Sequence, residues 1–214
     1  MFLLKLPFTL RIFLGCSPLE VSWVLDVSGT ISADDFKETK EFVKTVTTKI
    51  GLGFGNKVAV TIFGNEGQQK ILCSNFTKIH DFVKAVDALP RLPKEYTNTR
   101  DGLEKGQELL EKYGCGEQND AKKVLILLTD GLANEGVGQE KGLIKAAKHI
   151  QEKKETAILV VAVGKFSNHQ LKKMVPMSRI NVLRKGFVAL NSDKFIVEVK
   201  ESVCDTLKDL GEEI

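Results

Sequence analysis

Hydrophobic positions along this chain follow two different periods, and the points where one gives way to the other predict the elements. Residues 21–25 (Val-Ser-Trp-Val-Leu) form a short β-rich run that leads straight into Asp26. Over 32–50 the spacing becomes helical, placing Phe36, Val43, Val46 and Ile50 on one face. Ser32 followed by Asp35 has the form of a capping box at its start. A strand is expected over 57–63 (Lys-Val-Ala-Val-Thr-Ile-Phe), with 69–74 as its hairpin partner. Helix 77–89 ends at Pro90.

A second long helix over 99–113 sets Leu103, Gly106, Leu110 and Tyr113 on one side. The run at 123–129 (Lys-Val-Leu-Ile-Leu-Leu-Thr) is almost wholly apolar, as in a strand buried on both faces. Further on, the pattern predicts helix 139–154, strand 157–163, a short helix near 168–174, strand 186–190 and helix 192–210. Strands alternating with helices define an α/β class: a doubly wound, mostly parallel central sheet, Rossmann-like, with helices on both faces and one antiparallel edge strand. Trp23 and Phe63, within strands, are expected in the core.

The glycines of 51–56 precede a strand instead of following one and opening a helix, so a turn accounts for them better than a phosphate loop. With 214 residues, 43% hydrophobic and 28% charged, the chain suits a single domain. A net charge of +3, with Lys and Glu interspersed, argues against nucleic acid binding. No uncharged apolar stretch reaches the ~18 residues of a membrane span. Residues 1–15 are apolar and end at a small residue, the outline of a secretory leader, although Lys5, Pro7 and Arg11 interrupt the run. They are read as a leader or its remnant, or else an edge strand, with 16–214 as the domain.

Candidate chemistry gathers where such a sheet presents ligands, outside the carboxyl ends of its strands. Asp26, Ser28 and Thr30 occupy the turn after the first strand, Thr97 precedes the helix at 99, and Asp130 follows the apolar strand. All five are hard oxygen donors, suited to Mg²⁺, or to Mn²⁺ or Ca²⁺. His80, His149 and His169 lack paired spacing, so no zinc site of imidazoles is expected.

Asp26-Val-Ser28-Gly-Thr30 resembles the metal-ion-dependent adhesion site signature Asp-x-Ser-x-Ser of von Willebrand factor A-type domains and integrin inserted domains. Thr97-Asn-Thr99 resembles the segment carrying that family's coordinating threonine, and Leu-Thr-Asp130-Gly131 its terminal aspartate motif. The resemblance runs over roughly 19–210. It departs at Thr30, where serine is more usual; the added methyl group restricts the rotamer near an ion.

The resemblance implies a non-enzymatic, secreted adhesion or matrix-interaction module. In it the cation bridges to an acidic side chain of a matrix protein such as collagen, or of a cell-surface receptor. Cytosolic A domains of assembly machines are the alternative within the family. An enzymatic alternative is a haloacid dehalogenase-like phosphatase, because Asp26-Val-Ser-Gly-Thr also resembles the Asp-x-Asp-Gly-Thr motif. There Ser28 would replace the general acid, and a hydroxyl is far too weakly acidic for that role.

Cys16 lies just before the first strand and Cys204 in the last helix, so a disulfide between them would staple the ends of the domain. Cys73 and Cys115 are the second candidate pair. Asn75-Phe-Thr77 matches the N-glycan acceptor pattern.

Overall fold

The computed structural model describes residues 18–209 apart from 53–55, 74–75, 77, 92–95, 113–120, 132–138, 154, 165–167 and 177–178. Six strands appear, β1 (Leu19–Asp26), β2 (Lys57–Phe63), β3 (Gly67–Ile71), β4 (Lys122–Thr129), β5 (Thr156–Val163) and β6 (Ile180–Leu183). The helices are α1 (Ala33–Ile50), α2 (Ile79–Asp87), α3 (Thr99–Glu111), α4 (Gln139–Lys153), α5 (Asn168–Met174) and α6 (Asp193–Asp209).

The sheet order is β3-β2-β1-β4-β5-β6. All pairings are parallel except that of β2 with β3, which is antiparallel and forms one edge. The expected α/β architecture is therefore present. Leaving β1, the chain first builds outward through β2 and later returns to build on β1's other side through β4. The crevice above β1 and β4 is thus the point at which strand order reverses.

Alternation along each strand sorts side chains into two cores. Leu19, Val21, Trp23 and Leu25 of β1, with Val124, Ile126 and Leu128 of β4, pack against α1, α2 and α6. Val24, Leu125 and Leu127 face the other way, against α3, α4 and α5. Trp23 is fully buried, as is Phe63. The Trp23 indole donates to Thr47 Oγ1 at 3.1 Å, so its one polar atom is satisfied in the core.

Helix α1 begins with the anticipated capping box: Ser32 Oγ accepts from Asp35 N at 3.1 Å, and Asp35 Oδ2 accepts from Ser32 N at 3.2 Å. It stops at Gly51, whose φ of 91° is the left-handed conformation glycine adopts without strain. Helix α3 lies unusually close to the sheet. A Cβ at Gly102 would meet Phe63 Cγ at 2.7 Å, and one at Gly106 would meet Val24 Cγ2 at 2.6 Å. Only glycine fits at these two crossings.

Two expected elements need correction. The hairpin partner of β2 spans Gly67–Ile71, not 69–74. The last strand is Ile180–Leu183, paired with Val160–Val163 of β5, whereas the run read as strand 186–190 holds the 3₁₀ turn Phe187–Ala189. Its aromatic and β-branched residues imitate a strand. Gly186 at φ 80° turns the chain, and Val188 is left 82% exposed.

Candidate functional site

The crevice is built from three chain segments. The first is the turn after β1. Asp26 is fully buried, and its Oδ1 accepts from Ser28 N at 2.9 Å, a local bond that folds the turn back on the carboxylate. Ile31 N donates to Ser28 O at 3.0 Å to close the turn, and Arg91 grips the Ile31 carbonyl from outside with Nη2 at 2.8 Å.

The second segment follows β4. Thr129 Oγ1 donates to Asp26 Oδ2 at 2.6 Å and accepts from Gly131 N at 3.1 Å. It thereby joins the ends of two neighbouring strands. Asp130, half-buried, accepts from Thr30 Oγ1 at 3.0 Å, and Thr30 Oγ1 lies 3.2 Å from Ser28 Oγ. Asp26, Ser28, Thr30 and Asp130 are thus linked in one continuous set of polar contacts.

The third segment carries Thr97, which is 5% exposed. Its neighbours fix it: Tyr96 N donates to Asn65 Oδ1 at 3.1 Å, Asn98 N to Gly64 O at 2.7 Å, and Asn98 Nδ2 to Asn65 O at 3.2 Å. The carbonyl of Phe63 accepts from Val27 N at 2.8 Å. Consecutive carbonyls at the end of β2 therefore hold both the β1–α1 turn and the segment before α3. Asn98 also caps α3, accepting from Asp101 N at 3.2 Å.

Sequence reasoning named the five oxygen donors but missed two supports. Thr129 was read as strand, although a hydroxyl ending an apolar run beside an aspartate was a visible signal. Asn65 carried no signal, since its partners lie more than thirty positions away.

Electrostatics match this geometry. Burial pushes Asp26 up to about 6; hydrogen bonds from Thr129 and Ser28 oppose the rise, and the charge of Asp130 adds to it. Burial also raises Asp130 above the ordinary carboxylate range, against the hydrogen bond from Thr30, with Asp35 repelling it. Two carboxylates and nearby hydroxyls, with no basic side chain bonded to either carboxylate among the described contacts, form a hard all-oxygen donor set. A divalent cation fits it, because its charge would relieve both the burial and the mutual repulsion. No cluster of three or more His, Cys, Asp or Glu occurs among the described residues.

Cys73 and Cys204 are both disulfide-bonded. Cys73 packs in the core beneath α3 and Cys204 against the core on the opposite face of the sheet. Cys16, Cys115 and Asn75 lie outside the described residues.

The sequence profile of the von Willebrand factor type A domain matches residues 20–199. The chain belongs to that family. Among curated relatives, the human collagen alpha-5(VI) chain is 26% identical over 164 residues, 75% of this chain and 6% of that one. Human integrin alpha-11 is 23% identical over 195 residues, 89% of this chain and 16% of that one. The chain thus spans a small part of the length of these relatives. Among solved structures, proximal thread matrix protein 1 from the mussel byssus superposes with a TM-score of 0.78 at 20% identity, over 89% of this chain and 49% of that one. Another structure of that protein, with a TM-score of 0.77, has a zinc-occupied MIDAS motif. Among the described residues no helix is long and apolar enough to cross a membrane.

Proposed function

We propose that this domain is a divalent-cation-dependent protein-binding module, with Asp26, Ser28, Thr30, Thr97 and Asp130 holding the ion. The observation that carries this reading is the continuous contact from Asp26 through Ser28 and Thr30 to Asp130, at the strand-order reversal of the sheet. Bound there, a Mg²⁺, Mn²⁺ or Ca²⁺ ion supplies uncompensated positive charge to which a partner's carboxylate can bind. Asp26 anchors from below, held on both oxygens by Ser28 N and Thr129 Oγ1. Thr30 and Asp130 stand nearer the surface.

The relatives in collagen VI and integrin alpha-11 support a matrix protein such as collagen, or a cell-surface receptor, as the partner. They also support a secreted setting, as do the disulfide-bonded Cys73 and Cys204. Within this reading, residues 1–15 are a leader, 16–214 form one domain, and Asn75 carries a glycan. Turnover is not part of it: Ser28, in the position a phosphatase gives its general acid, carries only a hydroxyl, which donates to Thr30 Oγ1 while the Thr30 proton goes to Asp130.

The test is capture from matrix and membrane extracts with Mg²⁺ and with chelator, using wild type and Asp130→Ala. The expected result is retention of an acidic-motif partner that chelator and the substitution both abolish. Capture indifferent to both would show that the ion is not the grip.

A further inference from the structure

Some basic residues on the helices of this domain are neutralised locally. Lys44 of α1 bonds Glu41 at 2.8 Å and Asp87 at 2.6 Å. On α3, Arg100 bonds Glu104, and Lys105 and Lys112 both bond Glu108. Helix α4 differs. Its Lys141, Lys145 and Lys148 are exposed, and no carboxylate pairs with any of them among the described contacts.

Their spacing of four and then three residues puts all three on one stripe, spanning about 10 Å at 1.5 Å per residue. Like charges one turn apart disfavour a helix, so the stripe works against the element that carries it. The two carboxylates nearest in sequence leave it uncompensated: Glu140 is bonded to Lys173 of α5 at 3.0 Å, and Glu152 forms no ion pair with Lys148. The three lysines line a cavity of about 460 Å³ together with half-buried Ile144, exposed His149 and, at one end, the single carboxylate of Glu152, so three positive charges face one negative one.

We infer that the α4 stripe of Lys141, Lys145 and Lys148 binds a linear sulfated polysaccharide, separately from the crevice above β1 and β4. Three point charges in a row match a chain with anionic groups repeating along its length. Ammonium groups on flexible stems can each meet a sulfate without a fixed orientation. A membrane surface is a poorer match, because an interfacial helix needs a projecting apolar face and Ile144 is recessed between the lysines. Duplex nucleic acid calls for a broader basic footprint than a net charge of +3 provides.

The test is binding of the whole protein to a heparin oligosaccharide in chelator, across a NaCl series. Wild type is expected to bind, with log affinity falling against log salt at a slope of about −2 for three released counterions. The triple substitution Lys141→Ala, Lys145→Ala, Lys148→Ala should weaken binding at least tenfold and flatten the slope, while the triple Lys→Arg variant retains it. Far-UV circular dichroism confirms that both stay folded. Unchanged binding by the triple Ala variant overturns the assignment, as does failure of wild type to bind. So does lysine-dependent binding to phosphatidylserine vesicles without binding to heparin. Working in chelator keeps this result independent of any ion in the crevice.

Discussion

Thr30 and Asp130 stand 100 positions apart in the chain, yet the Thr30 hydroxyl donates to Asp130 Oδ1 at 3.0 Å. This bond closes the crevice across its mouth and aims two oxygen donors at the same space. Asp130→Ala removes a charge that no hydroxyl replaces and is expected to abolish Mg²⁺ and Mn²⁺ binding in calorimetric titration, with the fold intact by circular dichroism. Thr30→Ser keeps the oxygen, sheds the methyl group, and should preserve or raise affinity. A Thr30→Ser variant that no longer binds would reject Thr30 as an oxygen donor to the ion.

Thr129 is the inner counterpart of that closure. Thr129→Val deletes the donor to Asp26 Oδ2 and leaves a buried carboxylate oxygen unsatisfied. The expected cost is about 1–3 kcal/mol in urea unfolding, together with weaker Mn²⁺ binding. Thr129→Ser should rescue both. A valine variant as stable and as metal-competent as wild type would remove Thr129 from the site.

Protons and the cation should compete. Without metal, the folded-state value of about 6 for Asp26 exceeds its ordinary 3.8, so between them the folded protein binds more protons than the unfolded chain. This group's contribution to stability is then complete below the lower value and is lost as pH rises through the higher one. Asp130, also raised, acts in the same direction. In chelator, the change in stability from about pH 5 to about pH 7.5 should be more unfavourable for wild type than for Asp26→Asn, which cannot titrate there. Saturating Mg²⁺ should erase the difference. Identical pH profiles for the two proteins in chelator would contradict the assignment.

Close approach of α3 makes a separate prediction. A methyl group at Gly106 would fall 2.6 Å from Val24 Cγ2, and at Gly102 2.7 Å from Phe63 Cγ. Gly102→Ala and Gly106→Ala should each lose about 1–3 kcal/mol by overpacking, read as a lowered urea midpoint. Because Thr97 precedes α3, either change should also perturb ion binding. Wild-type midpoints would mean that the helix can withdraw without penalty.

Disulfide pairing makes a further prediction. Cys73 and Cys204 are both bonded and pack on opposite faces of the sheet, so they are not expected to pair with each other. Peptide mapping without reduction should recover Cys16 with Cys204 and Cys73 with Cys115. Recovery of Cys16 with Cys73 would reverse the assignment.

The parts of this molecule legible in its sequence are those governed by local rules. Apolar runs such as 123–129 announce buried strands, Ser32 and Asp35 announce a helix start, and an aspartate after a strand announces the crevice. Misreadings arose where local composition and long-range geometry disagree. Phe187 and Val188 have strand-forming side chains, but strand β6 is built by Ile180–Leu183, whose apolar signal is weaker and whose place is decided by pairing with β5. In the sequence Gly106 is only one position on a side of helix 99–113; why it and Gly102 must be glycine depends on the sheet beneath them. Asn65 could not be found at all, because what it does depends on a segment brought to it only by the finished fold.

Consecutive carbonyls of Phe63 and Gly64 receive the amides of Val27 and Asn98, and this ties the kinetics of two loops together. Neither can open by a local fluctuation without straining the residue that anchors the other, so they belong to a single cooperative opening unit. Amide exchange at Val27 and Asn98 should then proceed at matched rates and slow together. An ion bound at one wall of the crevice would then slow opening of the other as well, through two adjacent peptide groups and the Asn65 and Asn98 bonds beside them.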